Sequence, residues 1–127
     1  MEKTALIVTD GEESTQKLAD AIKKALTDWE VISVSAGEFK GTQLLPADLC
    51  FFGAENPNPP SYSYLYKMLM HINLVNRPCG IFSISKEAAD YLRGMVHDSE
   101  MILYPDPFLG KGDIKTWTEK VASSITK

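Results

Sequence analysis

The stretch from Thr4 to Thr15, TALIVTDGEEST, constrains the fold of this chain more than any other part of the sequence. It runs from an apolar strand, ALIV, through a short loop centred on Gly11 into a helix that opens near Ser14. In an α/β protein such a loop lies at the carboxyl edge of the sheet, where backbone N–H groups and the helix dipole favour an anionic ligand. This loop nevertheless carries three carboxylates: Asp10, Glu12 and Glu13.

Size and charge limit the possible classes of protein. The 127 residues, of which 44% are apolar, predict one globular domain over residues 1–127. A formal net charge of -4 argues against nucleic acid or an anionic membrane as a partner, since both would meet like charge. The apolar run near the start is too short for a signal peptide or a membrane span, which predicts a soluble, cytoplasmic protein. The oligomeric state stays open.

Strands and helices alternate along the chain. Apolar or alternating runs predict strands at 5–8, 29–34, 49–53, 79–85 and 101–104, and apolar residues at helical spacing predict helices at 14–27, 62–72 and 86–97 and from Asp113 onward. This alternation predicts a parallel sheet with helices on both faces. Cys50 and Cys79 lie in separate apolar strands without C-x-x-C spacing, so we expect reduced core thiols and no metal site.

Three stretches of the sequence carry a family resemblance: ALIVTDGEESTQKLADAIKKAL, PADLCFFGAENP and YPDPFLGKGD. In that order they are similar to the opening of flavodoxins, to their third strand with its Asp and terminal Gly, and to the segment before their last helix. The resemblance covers nearly the whole chain. It implies a flavodoxin-like three-layer sandwich with a five-stranded parallel sheet in the order 2-1-3-4-5, FMN binding, and one-electron transfer between redox partners.

The phosphate loop departs from the family pattern. The Ser/Thr-x-Thr-Gly-x-Thr of flavodoxins falls here on Asp10, Gly11, Glu12, Glu13, Ser14 and Thr15, and only the final Thr is kept. Acceptor-only carboxylates replace hydroxyl donors, and the FMN phosphate itself carries close to two negative charges. We therefore expect FMN binding to be weak or lost. The alternative is that Glu12 and Glu13 point to solvent while Gly11, Ser14, Thr15 and the helix N-terminus still offer donors.

The flavin ring would be flanked by the loops after the third and fourth strands. Their candidate contact residues are Glu55, Asn56, Tyr62, Tyr64 and Ser85. Either tyrosine could stack on the ring, although Tyr62 also fits the apolar stripe of its helix, and core packing is its favoured role. Tyr64, Met68 and His71 could instead form an exposed patch, either a partner surface or merely scattered apolar groups.

Other functions have less support in the sequence. A cofactor-free binding or scaffold module is the main alternative. A phospho-receiver lacks its acceptor Asp, since Phe52, Gly53 and Ala54 stand at the end of the third strand, and Tyr104 and Pro105 replace its Lys-Pro. The acids Asp10, Glu12, Glu13 and Glu55 could hold a hard cation, but clustered exposed carboxylates are usually a solvated loop. Neither G-x-S-x-G nor GxGxxG occurs, so we expect an electron-transfer or binding protein and not a stand-alone enzyme.

Overall fold

The computed structural model describes residues 3–57 and 59–124. Five parallel strands form one sheet in the order β2-β1-β3-β4-β5. The strands are β1 (Lys3–Thr9), β2 (Trp29–Ser35), β3 (Leu49–Gly53), β4 (Pro78–Phe82) and β5 (Ile102–Leu103). The helices are α1 (Glu13–Ala25), α2 (Tyr62–His71), α3 (Lys86–His97) and α4 (Ile114–Ser123), with a short 3-10 helix at Gly41–Leu44. This is the strand order of the flavodoxin-like fold that the sequence predicted.

The burial of each strand follows its sequence. The central strands β3 and β4 are buried at every residue, and β1 is buried from Ala5 to Thr9, as expected for apolar runs covered on both faces. In the edge strand β2, Glu30 is exposed and the other residues are partly buried, in contrast to the fully buried central strands.

Two apolar cores separate the layers of the sandwich. Alternate residues of β1 point to opposite faces, so Ala5 and Ile7 pack with α1 and α4 while Leu6 and Val8 pack with α2 and α3. Each helix meets the sheet through the apolar stripe seen in its sequence, for example Ala19 and Ile22 of α1. Ile125, which was also expected to face inward, lies outside the described residues.

Two strands are shorter than the sequence predicts. β4 was expected to continue to Ser85 but ends at Phe82, because the Ser83 hydroxyl accepts the N–H of Ser85 at 2.9 Å and Ser85 already caps α3. β5 was expected over 101–104 and is confined to Ile102–Leu103. The loop after β4 therefore begins three residues earlier than expected.

Two further observations concern the chain as a whole. Cys50 and Cys79 are free and buried, as expected for core thiols, and they are register partners in β3 and β4. None of the helices in the described ranges is long and apolar enough to cross a membrane.

Candidate functional site

The loop after β1 is held by hydrogen bonds within the chain. Gly11 adopts a φ of 86°, a left-handed conformation that favours glycine, and this turns the backbone toward α1. Its N–H donates to the Thr9 hydroxyl at 3.1 Å, and the N–H of Glu12 donates to Asp10 Oδ1 at 3.1 Å. The N–H groups of Gly11 and Glu12 therefore already have acceptors from the chain itself, whereas no described side chain caps the first turn of α1.

Asp10 also ties this loop to the loop after β3. Its Oδ2 accepts the backbone N–H of Glu55 at 2.6 Å, so one carboxylate bridges two N–H groups that are far apart in sequence. Ser14 closes a second link, because its hydroxyl donates to Glu55 Oε1 at 2.5 Å. Three residues of the predicted site, Asp10, Ser14 and Glu55, are thus brought into one cluster.

Tyr62 fills the space behind this cluster. Its side chain is fully buried, and its hydroxyl donates to the carbonyls of Val8, at 3.1 Å, and Gly53, at the ends of β1 and β3. Burial raises the pKa of Tyr62 well above that of an ordinary phenol, and the charge of Asp10 raises it further. The hydroxyl therefore remains a donor, and the favoured core role of Tyr62 is confirmed.

The loop after β4 is fixed by serine side chains. The Ser83 hydroxyl accepts the N–H of Ser85 at 2.9 Å while donating to Ala54, which joins the loops after β3 and β4. Ser85 is the N-cap of α3, and its hydroxyl accepts the N–H of Ala88 at 3.2 Å. Ser85 thus caps a helix in this structure.

The remaining predicted residues are more scattered. Glu12, Glu13 and Asn56 are exposed, whereas Thr15 is buried in α1. Tyr64 contacts the connection between β2 and β3, where its hydroxyl accepts the N–H of Gly41 at 3.1 Å and its ring packs on Phe39 at a centroid distance of 5.8 Å.

The aromatic side chains beside the carboxyl ends of the strands, Tyr62, Phe82 and Tyr104, are buried or partly buried. In the described part of the chain the exposed aromatic side chains are Tyr64 and Tyr66, and both belong to α2. The apolar group that this edge does present is Ile84, which is 54% exposed in the loop after β4.

Sequence reasoning missed Thr9 and Ser83. Both are fully buried hydroxyls that fix the two loops. The available signal was a lone hydroxyl residue directly after a buried apolar strand, where an unpaired polar group would be costly.

The acids of the loops do not assemble a metal site. Within residues 3–57 and 59–124, no group of three or more His, Cys, Asp or Glu side chains is placed to hold a metal ion. Both oxygens of the Asp10 carboxylate instead accept hydrogen bonds from backbone N–H groups.

Known structures share this fold at low sequence identity. A flavodoxin from the domain Archaea matches with a TM-score of 0.81 and 17% identity, over 98% of this chain and 99% of that one. A Fusobacterium nucleatum flavodoxin variant bound to flavin mononucleotide matches with a TM-score of 0.63 and 13% identity, over 99% and 94% of the two chains. A CheY-like receiver domain protein from Methanospirillum hungatei matches with a TM-score of 0.61 and 19% identity, over 99% and 95%.

Sequence comparison adds no closer relationship. No protein-family model matches the chain, and no curated protein matches it. The structural matches establish the flavodoxin-like fold, which flavodoxins and receiver domains have in common.

The phosphate of FMN does not fit this loop in the way the family implies. A phosphate needs hydrogen-bond donors, and the N-terminus of α1 has no side-chain cap among the described residues. The N–H groups of Gly11, Glu12 and Glu55 and the hydroxyl of Ser14, however, already donate to side chains of this protein. Two of these acceptors are carboxylates, so the space that suits an anion already contains negative charge.

Proposed function

We propose that this chain is a flavodoxin-type electron-transfer protein that holds FMN weakly, as an exchangeable ligand and not as a resident prosthetic group. The overall fold supports the flavodoxin part of the proposal, because flavodoxins match along almost the entire chain and one of them is bound to flavin mononucleotide. The weak binding rests on one observation, the Asp10 carboxylate that accepts the N–H groups of both Glu12 and Glu55.

Electrostatics explain why the affinity falls. A unit charge on the phosphate about 6 Å from one carboxylate is repelled by about 3 kcal/mol at an effective dielectric of about 20. Solvent and salt reduce that figure for exposed groups such as Glu12 and Glu13, but much less for the partly buried Asp10 and Glu55. The phosphate consequently contributes little to binding, and the flavin ring and ribityl chain supply most of the affinity.

The redox role comes from the cofactor and a partner. Bound FMN supplies one-electron chemistry. The chain itself would position the flavin between the loops after β1, β3 and β4, and we propose a redox protein as the partner that exchanges electrons with it.

Titration of the purified apo protein with FMN tests the proposal. We expect quenching of flavin fluorescence with a Kd above about 1 μM, corresponding to less than about 8 kcal/mol of binding free energy. A protein that purifies with a full complement of FMN, or binds it at sub-micromolar levels, would show that the acidic loop does not weaken binding.

A redox titration separates electron transfer from mere binding. With the protein in excess over its Kd, we expect the reduction midpoint of FMN to shift from that of the free cofactor, because the carboxylates around the site disfavour added negative charge on the flavin. An unchanged midpoint would contradict a role in tuning the flavin.

A cofactor-free binding module is the second candidate. It is favoured by the exposed aromatic side chains, Tyr64 and Tyr66, since both lie on α2. Tyr64 and His71 would then form the contact surface, while Met68, which is partly buried against the core, would support it. Under this alternative FMN produces neither quenching nor any change in thermal stability.

A further inference from the structure

We infer that this site selects a flavin without a phosphate, so that riboflavin binds at least as tightly as FMN. The inference rests on the proposed function and names the ligand class that the same site prefers. It follows because the carboxylates in the loops after β1 and β3 do not suit the phosphate of FMN.

Asp10 takes the role that a bound phosphate would have. In a loop between a strand and a helix N-terminus, backbone N–H groups usually converge on a ligand anion. Here Asp10 Oδ1 and Oδ2 accept N–H groups from the loops after β1 and β3, at 3.1 and 2.6 Å. The protein therefore carries its own anion at the point where the two loops meet, and a phosphate at the uncapped N-terminus of α1 would be repelled by that charge.

The remaining groups suit a neutral alcohol better than a phosphate. The ribityl chain of riboflavin ends in a hydroxyl, which can donate a hydrogen bond to a carboxylate, whereas a phosphate dianion offers only acceptors. Glu55 is partly exposed and accepts a single hydrogen bond from Ser14 at Oε1, so its carboxylate can take another donor. Residues 10–15 contain three acids and no base, which leaves no cation in the loop to offset a phosphate.

Comparison of the two flavins on the wild-type protein is the direct test. Fluorescence titrations in the same buffer should give a Kd for FMN that is equal to or larger than the Kd for riboflavin, and we expect a ratio of about tenfold. If FMN binds more tightly than riboflavin, the inference is wrong while the proposed flavin-binding function stands. If neither flavin binds, the proposed function fails and the inference fails with it.

Two variants identify Asp10 as the origin of the selection. Asp10→Asn keeps the size of the side chain but removes its charge and one acceptor oxygen, so FMN affinity should rise at least tenfold while riboflavin affinity changes less than about twofold. Glu13→Gln is the matched control, because Glu13 lies exposed at the start of α1, three residues from Asp10, and makes none of the hydrogen bonds that join the loops. An equal gain in both variants would assign the effect to net loop charge and overturn the role of Asp10.

Amide hydrogen exchange gives a readout that does not depend on ligand. In Asp10→Asn the backbone N–H groups of Glu12 and Glu55 should exchange faster than in the wild-type protein, because only one side-chain oxygen is left to accept hydrogen bonds from the two groups. Unchanged exchange at both amides would show that Asp10 does not hold the loops together in solution.

Discussion

Tyr62 illustrates how a single side chain stabilises the site from behind. Its hydroxyl donates to the buried carbonyls of Val8 and Gly53. Tyr62→Phe would leave both carbonyls without that donor in a region closed to water. We expect the free energy of unfolding to fall by about 1–3 kcal/mol, the usual cost of unsatisfied buried polar groups, as measured by urea denaturation.

Tyr64→Phe is the matched control for this prediction. The Tyr64 hydroxyl also makes a hydrogen bond, with the Gly41 N–H, but the side chain is 43% exposed and water can replace it. Its loss should cost clearly less than that of the Tyr62 hydroxyl. Equal losses in the two variants would contradict the importance assigned to the buried position.

The sequence predicted which residues lie near the site better than it predicted their contacts. Tyr62 falls on the apolar stripe of α2, so its burial follows from helical spacing. The link from Asp10 to Glu55 joins residues 45 positions apart, and no local pattern encodes it. Tyr64 was a candidate for stacking on a flavin, but its environment depends on Gly41 and Phe39, which come from a connection of low regularity.

At the scale of the elements, the Phe82 ring of β4 lies over Gly53 of β3 because Gly53 has no side chain. A Cβ added at Gly53 would lie 2.3 Å from Cε2 of Phe82, far inside contact distance. Gly53→Ala should therefore force the Phe82 ring to move and lower the free energy of unfolding by about 1–3 kcal/mol, the usual cost of overpacking. Thermal unfolding followed by circular dichroism measures this change.

Gly37→Ala is the control for Gly53→Ala. A Cβ at Gly37 would have no atom within 4 Å, so this variant should leave stability nearly unchanged. A similar loss in both variants would assign the effect to backbone flexibility and not to the contact with Phe82.

Arg77 connects two elements through backbone carbonyls. Its guanidinium donates to the carbonyls of Leu44, Leu45 and Ala47, at the end of the 3-10 helix and before β3. Arg77→Lys should destabilise the protein by about 1–2 kcal/mol, because an ammonium on a flexible stem cannot reproduce this planar set of donors. Faster amide exchange in residues 44–47 would locate the effect, and Arg93→Lys on the exposed face of α3 serves as the control.

The boundaries of the elements were predictable where local sequence decides them. The helix α3 begins and ends as predicted because Ser85 caps it and its apolar stripe is regular. β4 ends early for a partly tertiary reason, since the Ser83 hydroxyl donates a hydrogen bond to the Ala54 carbonyl in the loop after β3 and accepts one from the N–H of Ser85. β5 is likewise shorter than predicted, because its length depends on pairing with β4 at the edge of the sheet. Four apolar residues in a row do not encode that pairing.

At the scale of the whole molecule, two thiols couple stability to pH. Cys50 and Cys79 are register partners in the middle of the sheet, and both are fully buried. Burial raises the pKa of Cys50 from 9.0 to about 12, and burial together with the charge of Cys50 raises the pKa of Cys79 well above 9.0. In the folded protein both thiols therefore remain protonated and unreactive at neutral pH.

The free energy of unfolding should consequently fall as pH rises above about 9. In that range the unfolded chain releases thiol protons that the folded chain retains, and the slope reaches at most about 1.4 kcal/mol per pH unit for each thiol. The stabilisation is fully present below pH 9.0 and is progressively lost toward about 12. Tyr62 should also lower the free energy of unfolding as pH rises above 10.0, because its pKa is raised in the folded protein as well.

Urea denaturation between pH 8 and 10 measures the slope of the free energy of unfolding against pH. The double variant Cys50→Ala/Cys79→Ala should have a shallower slope below pH 10, although its stability at neutral pH is lower from lost packing. Equal slopes in the two proteins would mean that the thiols ionise as readily in the folded sheet as in the unfolded chain.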